Sequence, residues 1–301
     1  MTLFTNLFQK YIQDKDIRNF KNKLTYYLIF RLVRKFLNRD LIVKIFNFRV
    51  FASNKKKKGS NALLRKCDFD DQTELRILEK ISNINKIYFI DCGSNYGFYS
   101  LFVATLDTLN NVIAIEASKK TCEALNINIK LNLLNNIKVY NNALSDFDDE
   151  KVVFNESKND WESSLVHKNF EISSQTKILT KKIDTITNKI SELEKYNLIL
   201  KLDIEGNEFK ALAGANLTIK KYSPLIIIEF SKYIFNQKNS KIFLNKFLKT
   251  YNYQIFNYNK ELINEEKIYS EIDQLDNKHD TIGNYFLLKK NSKNYNYFLN
   301  E

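Results

Sequence analysis

The sequence predicts an α/β protein built on a doubly wound, mainly parallel sheet, and three observations carry that expectation. Apolar runs of strand length alternate with helix-length segments from residue 87 onward. The first run, Ile87-Tyr88-Phe89-Ile90, ends on Asp91 and turns through Gly93 and Gly97 into an apolar segment of helix length. Later runs also end on a carboxylate or a polar loop, at Glu116, Asn142 and Asp203, and in an open α/β sheet such tips converge where ligands bind.

Composition bounds the rest. With 301 residues, 44% of them hydrophobic, the chain has room for one ordinary domain plus an extension, and wholesale disorder is excluded. Residues 1–66 hold 17 Lys and Arg against 3 acids, whereas the remainder holds 30 against 32. The net charge of +12 therefore belongs to the N-terminal segment. Such a segment suits an anionic partner, a membrane surface or a polyanion, or else is a solvated helical lead-in. Cys67, Cys92 and Cys122 form no C-x-x-C pair, so neither a disulfide framework nor a zinc site is expected, which fits a reducing compartment. The most apolar N-terminal stretch, residues 24–30, falls far short of the roughly 20 residues needed to cross a bilayer and lacks the features of a secretory signal. The expected location is cytoplasmic, with peripheral contact at the inner membrane surface through residues 1–66 as an accompanying expectation.

Taken in order, Leu24, Leu28, Leu32 and Phe36 share one helical face, with Arg31, Arg34 and Lys35 nearby. This amphipathic basic helix either lies on an anionic bilayer or packs on the domain behind it. Lys55 to Lys58, followed by Gly59 and Ser60, read as an exposed loop, dividing a basic helical extension at 1–66 from an α/β domain at 67–301. Residues 69–81 read as a helix, 87–90 as the first sheet strand, and 98–106 as a helix lying on the sheet. A second strand at 112–115 ends on Glu116, and Ser118 caps a helix carrying Cys122, Leu125 and Ile129. A third strand at 137–140 leads into Asn141, Asn142 and Ala143.

Residues 147–196 break the alternation with a hairpin arm at 152–154, a segment from Trp161 to His167, and residues 183–186. An insertion at the ligand edge commonly forms the substrate wall. A strand at 198–202 then ends on Asp203 and runs through Glu205, Gly206 and Glu208 into a helix with Gly214 available as its cap. Pro224 starts a strand ending on Glu229, and a helix at 240–248 and strands at 253–258 and 284–288 complete the chain.

The turn after the first strand reads D-x-G-x-x-x-G rather than the G-x-G-x-x-G of a dinucleotide site. An acid at that tip repels a pyrophosphate and disfavours a nicotinamide cofactor. It suits a cationic, donor-rich ligand such as S-adenosylmethionine. On that reading Asp91 supplies the electrostatic preference, and the peptide groups from Gly93 through Asn95 to Gly97 lie beneath the amino-acid tail. Glu116 accepts two hydrogen bonds from a ribose diol, and Asn142 with the Ala143 backbone reads an adenine edge.

The ordered motifs IDCGSNYGFYS, an acid-tipped second strand, NNALSD, SSL, KKIDTI, LKLDIEGNEFKALAGA and PLIIIEF resemble the FkbM family of S-adenosylmethionine-dependent methyltransferases over roughly residues 68–230. The resemblance implies the Rossmann-like class I methyltransferase fold, a seven-stranded sheet whose last strand is antiparallel, and O-methylation of small molecules or sugars. The chain departs from the family pattern at Cys92, Ser94 and Ala117.

Methylating a hydroxyl requires a proton acceptor beside the methyl group. Asp203 is the first candidate by its place at a strand tip, and His167 in the insertion is the second, against the plainer reading of an exposed loop histidine. Asp203, Glu205 and Glu208 form a conceivable cation set, but charge at a helix N-terminus accounts for the two glutamates, and no metal is expected. The only proline is Pro224, so the N-P-P-Y loop of many base-modifying enzymes is absent, and nucleic acid is not an expected partner. A membrane-associated protein that keeps the fold without turnover is the alternative from a different class, and a nucleic-acid methyltransferase without the N-P-P-Y loop is a second alternative.

Overall fold

The computed structural model describes residues 2–20, 22–37, 41–52, 71–157, 163–165, 172–276 and 280–299. In the N-terminal segment, α1 (Thr2–Asp14) and α2 (Lys23–Leu37) are followed by a hairpin of β1 (Leu41–Ile45) and β2 (Phe48–Ala52). The extension is therefore not purely helical as expected. Leu41, Val43 and Ile45 alternate with less buried residues, which is strand periodicity, and Phe46 takes the positive φ of 51° that closes the hairpin.

The α/β part begins with α3 (Gln72–Ile84), β3 (Ile87–Cys92), α4 (Phe98–Leu106), β4 (Asn111–Ile115), α5 (Lys119–Leu131) and β5 (Ile137–Tyr140). The insertion supplies β6 (Ala143–Leu144), β7 (Lys151–Ser157), β8 (Ile172–Lys181) and a short helix, α6 (Ile183–Thr187). Then come β9 (Asn197–Leu202), α7 (Glu208–Ala213), α8 (Asn216–Tyr222), β10 (Leu225–Ser231), α9 (Lys232–Phe235) and α10 (Ser240–Tyr251). The chain closes with β11 (Tyr253–Phe256), β12 (Leu262–Ile263), α11 (Glu265–Asp273), β13 (Thr281–Lys289) and α12 (Lys293–Leu299).

The main sheet has the order β12-β11-β13-β10-β9-β3-β4-β5. Strands β10, β9, β3, β4 and β5 pair in parallel, whereas β13 is antiparallel to both of its neighbours. The predicted doubly wound sheet with an antiparallel last strand is present. A two-residue strand, β12, adds an eighth member at the edge, because Asn257 Oδ1 accepts the Asn259 and Glu261 amides and turns the chain back onto β11. The order reverses between β3 and β9, so the switch point lies beside the Gly93 turn.

The inner parallel strands are mostly apolar on both faces, and alternate residues serve different cores. Ile87, Phe89, Val112, Ile199 and Ile227 face α4 and α5, while Ile90, Ile113, Leu200 and Ile228 face α7, α8 and α10. The N-terminal segment joins the first of these cores. Ile12, Ile17, Phe30, Leu41, Val43 and Phe48 are buried in one cluster with Leu101, Phe102 and Leu125. Helix α2 docks through Tyr26, Ile29 and Phe30, leaving Leu24, Leu28 and Leu32 outward at 69%, 48% and 53% exposure. Among the described residues no helix is long and apolar enough to cross a membrane. In the insertion, β8 pairs parallel with β6 and antiparallel with β7, so the expected hairpin arm forms a small separate sheet. Lys55 to Lys58, the boundary at 66 and 67, Cys67, Trp161 and His167 lie outside the described residues.

Two asparagines one turn apart, Asn128 on α5 and Asn132 at its C-cap, complete the hairpin edge. Asn132 accepts from the Arg49 amide at 2.6 Å and donates to the Arg49 carbonyl at 2.7 Å. Asn128, fully buried, accepts from the Phe51 amide at 2.8 Å and donates to the Tyr96 carbonyl at 2.9 Å. One side chain thus ties the N-terminal hairpin to the turn after β3. Replacing it by Asn128→Ala removes both bonds from a buried position and should destabilise the protein by about 2 kcal/mol or more. Urea denaturation reads the loss, and hydrogen exchange should show faster exchange at the Phe51 amide.

Candidate active site

The register of the sheet places charge inside it. Asp91 on β3 stands opposite Lys201 on β9, one step before both strands end, and they are 1% and 3% exposed. Both continue the alternation of the face that holds Phe89 and Ile199, so the apolar core gives way to an ionic cluster as it nears the tips. Lys201 Nζ donates to Asp203 Oδ2 at 2.7 Å and lies 4.6 Å from the centroid of the Tyr99 ring. Asp91 Oδ2 accepts from Ser100 Oγ at 2.6 Å, which anchors α4 to the strand. Burial pushes the Asp91 carboxyl above its ordinary value, with Lys201 and Ser100 opposing. Burial also disfavours the Lys201 charge, but Asp203, Asp91 and Asp71 outweigh it and hold the ammonium above its usual range.

The turn between β3 and α4 is closely packed. Gly93 has φ 81°, and a Cβ there would lie 1.8 Å from the Asp203 carbonyl oxygen. Gly97 has φ 83°, and a Cβ would lie 2.2 Å from Leu125 Cδ1, so this glycine lets α5 approach the helix entrance. The Gly93 and Ser94 amides both donate to the Ile115 carbonyl, at 2.9 and 3.0 Å. The Asn95 amide donates to Glu116 Oε2 at 2.9 Å, and the Ser118 amide to Glu116 Oε1 at 2.8 Å. Glu116 thus braces the turn from the neighbouring strand tip. Burial pushes its carboxyl up to about 7, against the pull of these backbone amides.

S-adenosylmethionine, the cofactor expected from the sequence, fits this arrangement. Each Glu116 oxygen accepts one amide and keeps a second lone pair for a hydroxyl. Ser94 Oγ is buried in the turn with no hydrogen-bond partner, an orphan polar atom that a ligand would satisfy. Asp91 adds a buried carboxylate, although Lys201 opposite it shares that charge. At the third tip, Asn141 donates to the Glu116 and Ala117 carbonyls, whereas the Asn142 amide donates to Leu179 O at 3.1 Å. Ala143 is buried and paired with Thr180 of β8. The groups expected to read an adenine edge therefore also hold the insertion in place.

Beyond β9 the chain bends sharply, with Glu205 at φ 57° and Gly206 at φ 104°. Glu208 Oε1 accepts from the Ile204 and Gly206 amides at 2.9 and 3.2 Å, so the first residue of α7 folds back on the bend that precedes it. Burial pushes its carboxyl to about 7. Ser164 Oγ donates to the Glu205 carbonyl at 2.6 Å, so the SSL segment clamps this loop. Asp203, Glu205 and Glu229 offer carboxylate oxygens all within 4.8 Å of one another. Burial, then Asp203 and Glu208, raise the Glu229 carboxyl.

Asp91, Gly93, Asn95, Gly97 and Glu116 are thus gathered at two adjacent tips, with Asp203 at the next. Sequence reasoning missed Lys201, Glu229 and Ser164 as members of the site. A lysine inside the apolar run LILKL was the available signal, because a fully buried lysine requires a partner. Lys201→Met would leave Asp91 and Asp203 without their counter-charge. It should cost about 3 kcal/mol or more in urea denaturation at neutral pH.

Comparison with known proteins places the chain. The Methyltransferase FkbM domain profile matches residues 91–255, more than half of the sequence. No curated protein matches. Among solved structures, FkbM methyltransferase from Methylobacillus flagellatus KT is similar at 19% identity and TM-score 0.42, over 67% of this chain and 43% of that one. The chain therefore spans less than half the length of that relative. TYW2 from P. horikoshii in complex with MeSAdo aligns at 13% identity and TM-score 0.44, over 88% and 83% of the two chains. TYW2 from M. jannaschii in complex with AdoMet aligns at 14% identity and TM-score 0.40, over 83% and 84%. By the extent of the profile match, with the acid-tipped strands and glycine turn inside it, the chain belongs to the FkbM methyltransferase domain family.

Proposed function

We propose that the protein transfers a methyl group from S-adenosylmethionine to a hydroxyl oxygen of a small molecule or glycan. The observation that supports this most is the group of carboxylates at the tips of β9 and β10, next to the glycine turn of β3. When bound, S-adenosylmethionine supplies a methyl group on a sulfonium, which a hydroxyl oxygen displaces once its proton is removed. An amine could attack as its neutral form, but an alcohol needs a base, and carboxylates at this place meet that need. Glu116 binds the ribose hydroxyls, while Asp91 and Ser94 line the turn. Asp203, held by Lys201 through one oxygen, keeps the other for the acceptor's hydroxyl proton. The hairpin of β7 and β8, with the Ser164 clamp, forms the acceptor wall. His167 remains the second candidate for the proton.

A peripheral membrane contact is a second part of the proposal, supported by the outward stripe of Leu24, Leu28 and Leu32 on a strongly basic segment. It would bring the enzyme to acceptors at an anionic bilayer.

Calorimetry should show one S-adenosylmethionine per chain, with affinity at least tenfold weaker in Asp91→Ala; no binding by the parent protein would sink the reading. Because the Glu116 carboxyl titrates near 7, affinity should rise from pH 6 to pH 8 as it ionises and gains acceptor capacity. Glu116→Gln should flatten that rise. With labelled cofactor, methyl should appear on hydroxyl compounds or glycans, and transfer to RNA alone would contradict the acceptor class. Sedimentation with phosphatidylserine vesicles should show salt-sensitive binding that Leu28→Glu abolishes, and no binding at low salt would end the membrane proposal.

A further inference from the structure

The loop after β9 carries more acid than proton transfer needs. Asp203 follows Leu202 and Glu229 follows Ile228, and these two preceding residues are paired in register, so the acids lie side by side on neighbouring strands. Glu205 completes the set from the bend, and all three side chains are half-buried. Oxygens on opposite sides of a small divalent cation, bound at about 2.1–2.4 Å, stand about 4.2–4.8 Å apart, and adjacent ones closer. A mutual spacing within 4.8 Å is that of a ligand set.

Two further atoms point to a ligand here. Glu208 is 1% exposed, and its Oε1 is held by the Ile204 and Gly206 amides that flank Glu205, so the carboxylate sits in the concavity of the loop. Its Oε2 is buried with no hydrogen-bond partner. Asn284, the half-buried β13 residue paired with Glu229, is hydrogen-bonded to Glu74 through its side chain but has a buried Oδ1 with no partner. Buried oxygen acceptors in that state are costly unless something satisfies them. Lys201 engages Asp203 Oδ2, which leaves Oδ1 outside that ion pair.

We propose that Asp203, Glu205 and Glu229 bind one hard divalent cation of the magnesium or manganese class, with Glu208 Oε2 and Asn284 Oδ1 as supporting oxygens. An all-oxygen donor set selects that class over zinc or copper. This proposal departs from the expectation of no metal, and its catalytic meaning rests on the O-methyltransferase reading above. The cation would hold the acceptor's hydroxyl oxygen at the strand tips and lower its pKa. The proton would leave to water, and as the oxygen bonds to the methyl carbon the carbon–sulfur bond would break and release the neutral thioether. With the cation bound, Asp203 would be a ligand, and this role replaces the free-base role assigned to it above for the metal-free site.

The test is a Mn²⁺ titration of the full chain, followed by electron paramagnetic resonance without cofactor or acceptor. Binding should saturate at one ion per chain below millimolar concentration. It should weaken at least tenfold in Glu229→Gln and in Asp203→Asn, each first shown by circular dichroism to be folded like the parent. No stoichiometric Mn²⁺ binding by the parent, or undiminished binding by folded Glu229→Gln, would overturn the site. Calorimetry with S-adenosylmethionine on the same preparation separates the two proposals. Cofactor binding without Mn²⁺ binding removes the cation alone, whereas Mn²⁺ binding without cofactor binding removes the methyltransferase reading and leaves the cation site standing.

Discussion

A buried lysine between two aspartates is the interaction on which the strand tips depend. Asp91 comes out of water at the end of an otherwise apolar sheet and would be costly there alone, while Asp203 stays partly exposed just beyond the strand. Lys201 stands in register with Asp91 on the neighbouring strand, and its Nζ lies 2.7 Å from Asp203 Oδ2, two residues on in its own segment. Because Asp91 and Lys201 belong to paired parallel strands and Asp203 follows directly on one of them, the ion cluster has little freedom to relax. That rigidity holds the edges of a site lined with acids in one place before any ligand arrives.

The same economy governs the glycine turn. Most of its amides are used inward, by the Ile115 carbonyl and the Glu116 carboxylate, so its shape is fixed by the neighbouring strand. Gly93 is required because the Asp203 carbonyl passes where a Cβ would be, which locks the β3 turn to the β9 tip. Asn128 extends the bracing outward, since it links the Tyr96 carbonyl to the edge of the N-terminal hairpin. Residues far upstream of the α/β part thereby support the turn mechanically, through a core they share with α4 and α5. The basic segment has two faces with different tasks, one packed through Phe30 and one left outward at Leu28.

Much of the fold was legible because it rests on local signals. The run from Ile87 to Asp91, the Ser118 cap and the alternation of strands with helices are written in residues close together in the chain, and the structure has all three. Gly214 shows the limit of such reading. It does end α7, yet its φ of −78° needs no glycine, and the Ser145 carbonyl, 2.2 Å from where a Cβ would be, is the reason for it. The hairpin of β1 and β2 was missed because its ten residues sit next to a strong helical pattern and alternate for only a few positions each.

By itself the sequence determined the parallel sheet, the acid at each tip and the family, since periodicity, chain order and motif spacing are one-dimensional properties. Only the tertiary structure decided which acids share a site. Glu229 and Asp203 are 26 positions apart in sequence and become neighbours because β10 pairs with β9 in one register. Lys201 becomes the counter-charge of Asp91 for the same reason, across a separation of 110 positions. Pairing register is set by how whole strands bury their alternating faces, and no local stretch of residues carries that information.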